Sequence, residues 1–181
     1  MIIINKRNLF FLISVWLLST LLSAQNVTIS TPHTQLLLSV PNGGTPEQLY
    51  YGSRTSDADI RSICETARRR NAYPVYGMGY PCETALSVRH ADGNLTLQMA
   101  VIGVKETRLT KENATLTVIE LKDKVYPFFV NICYKAWQDA DVIETWTEIR
   151  HEEKKPVQLQ QFASAYLPVR RGRIPLPVRV P

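Results

Sequence analysis

The 181-residue chain has little of what most catalytic domains display. Its histidines, His33, His90 and His151, lie far apart, with neither H-x-H nor H-E-x-x-H spacing, so no metal site and no metal cofactor are expected. A G-x-S-x-G nucleophile signature is absent as well. Cysteine is scarce and odd in number: Cys64, Cys82 and Cys133. That excludes a disulfide framework, and no C-x-x-C pair suggests a metal. Cys64 and Cys82 can pair in an oxidising compartment, whereas Cys133 alternates with apolar neighbours and reads as a buried thiol. Internal repeats are missing, which argues against a propeller or solenoid. Helical periodicity is confined to Asp57–Arg70, where Ile60, Ile63, Cys64 and Ala67 fall at helical spacing.

Apolar runs of spanning length are lacking too. The run from Leu9 to Leu22 is shorter than the roughly 20 residues a membrane helix needs. With Lys6 and Arg7 before it and Leu22-Ser23-Ala24 after it, residues 1–24 read as a secretory signal, and an uncleaved anchor is the competing reading. The chain is therefore expected to be exported, periplasmic or extracellular, with no stable membrane span after cleavage. At the other end, residues 168–181 crowd prolines and arginines into a stretch that suits neither helix nor sheet. Such a stretch is expected to be unstructured or an out-of-frame tail; the alternative is a basic peptide that docks on a partner or an anionic polymer. The net charge of +5 becomes −1 without Lys6, Arg7, Arg170, Arg171, Arg173 and Arg179. The folded body thus offers no charge argument for nucleic acid.

The body, residues 25–167, is long enough for one domain with its own core. Thr34–Val40 is an apolar run stopped by Pro41-Asn-Gly-Gly44. Ala85–His90 leads into Asp92-Gly93, a hairpin signal, with strand resuming at Leu95. Thr115–Leu121 alternates at period two, Lys122–Lys124 forms a tip, and Tyr126–Lys135 returns. After a turn at Gln138–Asp141, Val142–Ile149 places Glu144 and Trp146 on one face and Ile143 and Thr147 on the other. A charged tip follows at His151–Lys155, with a further strand from Pro156. These spacings predict an all-β, antiparallel sandwich with one short helix or ordered loop.

Chemistry-bearing groups are sparse within it. The paired carboxylates Asp57/Asp59, Asp139/Asp141 and Glu152/Glu153 are close neighbours on turns and read as solvated. Glycoside hydrolysis instead sets two carboxyls across a bond, about 5–9.5 Å apart. Arg68-Arg69-Arg70 reads as a clamp for an acidic ligand or, more simply, as a solvated loop face. Asn71–Pro81 carries Tyr73, Tyr76 and Tyr80 with Gly77 and Gly79. Sugar-binding surfaces use flat tyrosine faces on glycine-permitted turns, and packed loops use the same residues. Asn-x-Ser/Thr triplets occur at Asn26, Asn94 and Asn113.

Several runs, in one order, resemble the N-terminal domain of glycoside hydrolase family 36. They are Tyr73-Pro-Val-Tyr-Gly77, Glu83-Thr-Ala-Leu-Ser-Val-Arg-His-Ala-Asp-Gly93, Leu121-Lys-Asp123 with Tyr126-Pro-Phe128, Asp141–Ile149, Lys154-Lys-Pro-Val157 and Phe162-Ala-Ser164. The resemblance implies a β-supersandwich that precedes a (β/α)₈ barrel in α-galactosidases, enzymes that remove terminal α-linked galactose with retention. It implies no cofactor, and homo-oligomers among full-length relatives. It supplies no catalytic residue here, because the barrel carries both aspartates; Asp123, Asp139 and Asp141 do not replace them. The fragment is thus expected to be inactive alone, as a domain incomplete at its C-terminal end. The alternative is a stand-alone carbohydrate-binding or interaction sandwich. In tetrameric relatives a loop of this domain reaches a neighbour's active site, which makes Tyr73, Tyr76, Tyr80 and Glu83 the candidate substrate-adjacent residues. Where the family commonly has an Asp-Phe-Arg-Glu-Pro type of run, this chain reads Tyr80-Pro-Cys-Glu-Thr84.

Overall fold

The computed structural model describes residues 25–79, 81 and 83–168; the expected signal, Tyr80, Cys82 and all but the first residue of the proline–arginine stretch lie outside them. The described residues form an all-β sandwich of three antiparallel sheets around one core. The first sheet has the order β1 (Gln25–Ser30), β2 (Thr34–Val40), β3 (Glu47–Ser53), β4 (Arg70–Asn71). A second sheet pairs β5 (Leu86–Arg89) with β10 (Gln158–Phe162). The third runs β6 (Met99–Leu109), β7 (Ala114–Asp123), β8 (Phe128–Trp137), β9 (Val142–His151), each strand beside its neighbour in sequence.

Period-two patterning decides which face is buried. In β8, Phe128, Val130, Ile132, Tyr134 and Ala136 enter the core, joined by Ile119 and Leu121 of β7. The register Ile132↔Thr147 and Val130↔Ile149 turns the Ile143/Thr145/Thr147/Ile149 face of β9 the same way. The opposite face is mixed: the Lys135 ammonium sits 3.8 Å from the Trp137 ring centroid and the Arg150 guanidinium 4.1 Å from that of Phe129. Cys133 is buried on this outward side, where loss of water pushes its thiol up to about 11 and keeps it protonated.

β2 is buried along almost its whole length because both of its faces are covered. Leu36, Leu38 and Val40 join the core. On the other side Gln35 Oε1 accepts from the Thr55 amide and hydroxyl, and Arg69 donates to Ser39 Oγ at 3.0 Å. Those partners belong to the excursion that carries helix α1 (Asp57–Thr66), begun by Ser56, whose hydroxyl oxygen accepts the Asp59 amide. Cys64 lies half-buried on α1, and its suggested partner Cys82 falls outside the described residues.

The sheets are fastened by backbone and carboxylate contacts at their ends. The Gly43 amide donates to Val101 O, and the Val101 amide to Gly44 O, pinning the β2–β3 turn onto the bulge of β6. At the far end Asp141, in the left-handed region with φ +53°, joins the β8–β9 turn to the β1–β2 turn. Its Oδ1 accepts the Thr31 hydroxyl at 2.5 Å and the His33 amide at 2.9 Å. The Thr31 hydroxyl foremost, then the His33 amide, holds the Asp141 carboxyl below its usual 3.8. A depressed carboxyl stabilises the fold at pH values above its unfolded value and ceases to do so as pH falls through the folded one. Asp141→Asn keeps a residue that tolerates φ > 0 but removes the charge. Between about pH 6 and about pH 3 the parent's melting temperature is expected to fall more steeply than that of Asp141→Asn; parallel profiles would refute the clasp.

Candidate functional site

The Tyr73–Glu83 loop is held by main-chain bonds at its start. The Ala72 amide donates to Pro46 O and the Tyr73 amide to Asn71 Oδ1, at 2.8 Å each. Val75 makes a parallel bridge with Leu86, and the Tyr76 amide donates to Leu86 O. On its other side Tyr76 O accepts the Leu97 amide. Residues 74–76 therefore lie as a short rib between β5 and the segment before β6. Gly77 then turns away with φ +95°, where a Cβ would stand 2.6 Å from Thr96 Cγ2 and 2.9 Å from its Cα. Only glycine meets both demands. Gly79, at φ +68°, bends the chain a second time.

This frame separates the four candidate residues. Tyr73 is 3% exposed, with its hydroxyl donating to Ala163 O, and burial raises that phenol's pKa. It packs inward. Tyr76 is 46% exposed and Met78 is exposed beside it. Glu83 is exposed at the return of the loop, where its Oε1 accepts from Gln161 Nε2 at 3.4 Å. Tyr80 lies outside the described residues. Among its described residues the loop thus presents one exposed aromatic face, one thioether and one carboxylate beside the β5–β10 edge. Among the described residues no group of three His, Cys, Asp or Glu side chains is placed to hold a metal ion, and no helix is long and apolar enough to cross a membrane.

A second cluster, which the sequence did not reveal, surrounds His90. Its ring stacks on Tyr126 at 3.7 Å and 9° and meets Phe128 edge-on at 5.9 Å. Its Nδ1 is 2.7 Å from Glu153 Oε1, whose other oxygen accepts the Ala91 amide, while its Nε2 is buried without a partner among the described residues. The side chains of His90 and Glu153 are 0% and 8% exposed. Glu153 is therefore no solvated turn carboxylate, contrary to the expectation for the Glu152/Glu153 pair. Tyr126 donates to Asp92 Oδ2 at 2.7 Å, which lowers that carboxyl's pKa and raises the phenol's. These groups span 63 residues of sequence from His90 to Glu153. Nothing local in the sequence pairs them, because the partner arrives through the β9–β10 connection. The cluster closes on itself and ties the Asp92-Gly93 hairpin down.

Comparisons with known proteins agree with this architecture. The model of the glycosyl hydrolase family 36 N-terminal domain matches residues 44–176. The fold is similar to an α-galactosidase from Lactobacillus brevis, with a TM-score of 0.67 and 16% identity over 78% of this chain and 23% of that one. A family 36 α-galactosidase from Geobacillus stearothermophilus, solved with 1-deoxygalactonojirimycin, gives 0.70 and 14% over 77% and 24%. The galactosidase domain of an α-galactosidase–sucrose kinase gives 0.64 and 22% over 76% and 24%. Among curated proteins none matches. The chain spans about a quarter of the length of the solved proteins it resembles. With most of its residues inside the family match, the chain belongs to glycoside hydrolase family 36, as that family's N-terminal domain.

Proposed function

We infer that this domain serves an exported α-galactosidase as its N-terminal sandwich and does not hydrolyse galactosides by itself. The observation that carries the reading is the match of the family's N-terminal domain over residues 44–176. The solved neighbours named above are α-galactosidases, and two further ones from Geobacillus stearothermophilus are described in complex with raffinose and with stachyose. In this reading a terminal α-galactoside is the substrate of the whole enzyme, and the aspartates that break the bond belong to its barrel. The sandwich contributes a support and the loop tip from Tyr76 toward Glu83. Export rests on residues 1–24, and cleavage after Ala24 makes Gln25 the first residue of the mature chain.

Retaining hydrolysis needs two carboxyls about 5–5.5 Å apart facing one glycosidic bond. In the described structure Asp123 is buried, accepting the amides of Gln98, Val125 and Tyr126. Asp141 is committed to Thr31 and His33, and Glu153 to His90. The expected result is that the purified chain releases no chromophore from a chromogenic α-galactoside above the buffer rate. Sustained turnover would overturn the proposal. Galactoside binding without turnover, abolished in Tyr76→Ala, would instead support a stand-alone binding module, since Tyr76 is the exposed aromatic ring of the loop among its described residues.

A further inference from the structure

A cavity of about 580 Å³ opens between β3, the C-terminal end of α1 and the Ala67–Arg70 segment, lined among others by Gln48, Tyr50, Tyr51, Ile63, Arg68 and Arg70. That volume falls in the range of small-molecule sites. Its floor is apolar, formed by Ile63 with Leu49 and Ala67, and among the described residues no carboxylate lines it. Glu47, the acid at the start of β3, is bound to Arg69, which points its charge at the sheet instead. Arg68 has no ion pair or hydrogen-bond partner among the described residues. Arg70 donates to Pro168 O at 3.3 Å and so closes one end of the cavity.

Gln48 supplies a second, independent sign. It is only 9% exposed, it lines the cavity, and its side-chain amide has no hydrogen-bond partner among the described residues. Its amide atoms are not sealed from water, so they open onto the cavity, where a ligand hydroxyl can replace solvent as their partner. The Tyr50 hydroxyl is committed to Ser53 O, which fixes that ring over Gly52. Tyr51 is 49% exposed at the mouth.

We propose that this cavity binds a carboxylate-bearing sugar, a uronic acid. Each part of such a ligand has a counterpart on the wall. The planar guanidinium of Arg68 matches a carboxylate with two parallel hydrogen bonds. The Gln48 amide offers both a donor and an acceptor to ring hydroxyls. The Tyr51 face stacks against the C–H face of the ring, and the aliphatic floor takes the opposite edge. A neutral sugar leaves the guanidinium without its partner, and an inorganic anion leaves the aromatic wall and the amide unused. The site is distinct from the Tyr73–Glu83 loop and is independent of the α-galactosidase reading, because its readout is binding and not turnover.

The test is titration of the full chain with D-galacturonate, followed by calorimetry and by the side-chain amide resonance of Gln48. Galactose and inorganic phosphate are the comparison probes. Galacturonate is expected to shift the Gln48 amide and to bind at least roughly tenfold more tightly than either comparison probe, the factor that one charged hydrogen-bonded pair supplies. Arg68→Ala and Tyr51→Ala, both at exposed positions, are each expected to weaken galacturonate binding while leaving the far-ultraviolet dichroism unchanged. Arg68→Lys keeps the charge without the fork and is expected to fall between parent and alanine. Absence of galacturonate binding overturns the proposal. So does equal binding of galactose or phosphate, or binding unchanged in both alanine variants.

Discussion

Phe128→Ala is expected to cost the fold about 3–5 kcal/mol, the range for deleting a fully buried aromatic ring. Phe128 begins β8, is completely buried, and meets the His90 ring edge-on while its strand neighbours Val130 and Ile132 continue the same core face. Removing the ring takes away its own burial and also leaves a void. The neighbours cannot fill that void freely, because Val130 and Ile132 are held in the ladders that bind β8 to β7 and β9. Denaturant unfolding at neutral pH, followed by intrinsic fluorescence, measures the loss as a lower midpoint at unchanged slope. A domain of this size is generally stable by about 5–15 kcal/mol, so the shift is large. Phe128→Leu keeps much of the volume and is expected to recover most of the loss. If Phe128→Ala costs under about 1 kcal/mol, the inner face of β8 is not the centre of the core.

How far the sequence could be read depended on whether the burial signal was local. β2, β7, β8 and β9 carry their pattern within one strand, and each expected segment overlaps the observed one closely. The helix over Asp57–Thr66 was legible for the same reason, from Ile60, Ile63 and Cys64 at helical spacing. β1 and β3 were not anticipated. Gln25–Ser30 contributes only Val27 and Ile29 to the core, and Glu47–Ser53 carries exposed tyrosine and glycine, so neither shows a run that stands out. Their register comes from β2 between them. The strand expected from Leu95 begins only at Met99. Residues 94–98 are diverted by side-chain and loop acceptors: Asp92 takes the Asn94 amide, Asn94 the Thr96 amide, Tyr76 O the Leu97 amide, and Asp123 the Gln98 amide. Such competition is invisible to period-two patterning. The same limit applies to the loop. Composition marked three tyrosines alike, but only the three-dimensional neighbours show that Tyr73 faces Ala163 while Tyr76 faces out.

Glu153→Ala is expected to destabilise the domain by about 1–3 kcal/mol, the usual cost of leaving buried hydrogen-bonding partners unsatisfied. The size of the effect follows from what is left behind. Among the described residues His90 already has one buried nitrogen without a partner, and the substitution would strip the other, along with the acceptor of the Ala91 amide. The stack on Tyr126 would remain, but a stacked ring with no hydrogen bond to either nitrogen is costly to keep dry. Local consequences separate this account from simple loss of packing. The carboxylate connects residues 90–91, at the hairpin after β5, with the 152–157 connection that leads β10 back beside β5. Hydrogen exchange should therefore speed up at Ala91 and along the β5–β10 pair before it does so in β7 or β8. Glu153→Gln, which retains an acceptor for either the ring or the Ala91 amide, is expected to lose less than the alanine variant. A uniform change in exchange across all three sheets, or a loss below about 1 kcal/mol, would mean that β10 is held by its ladder to β5 alone.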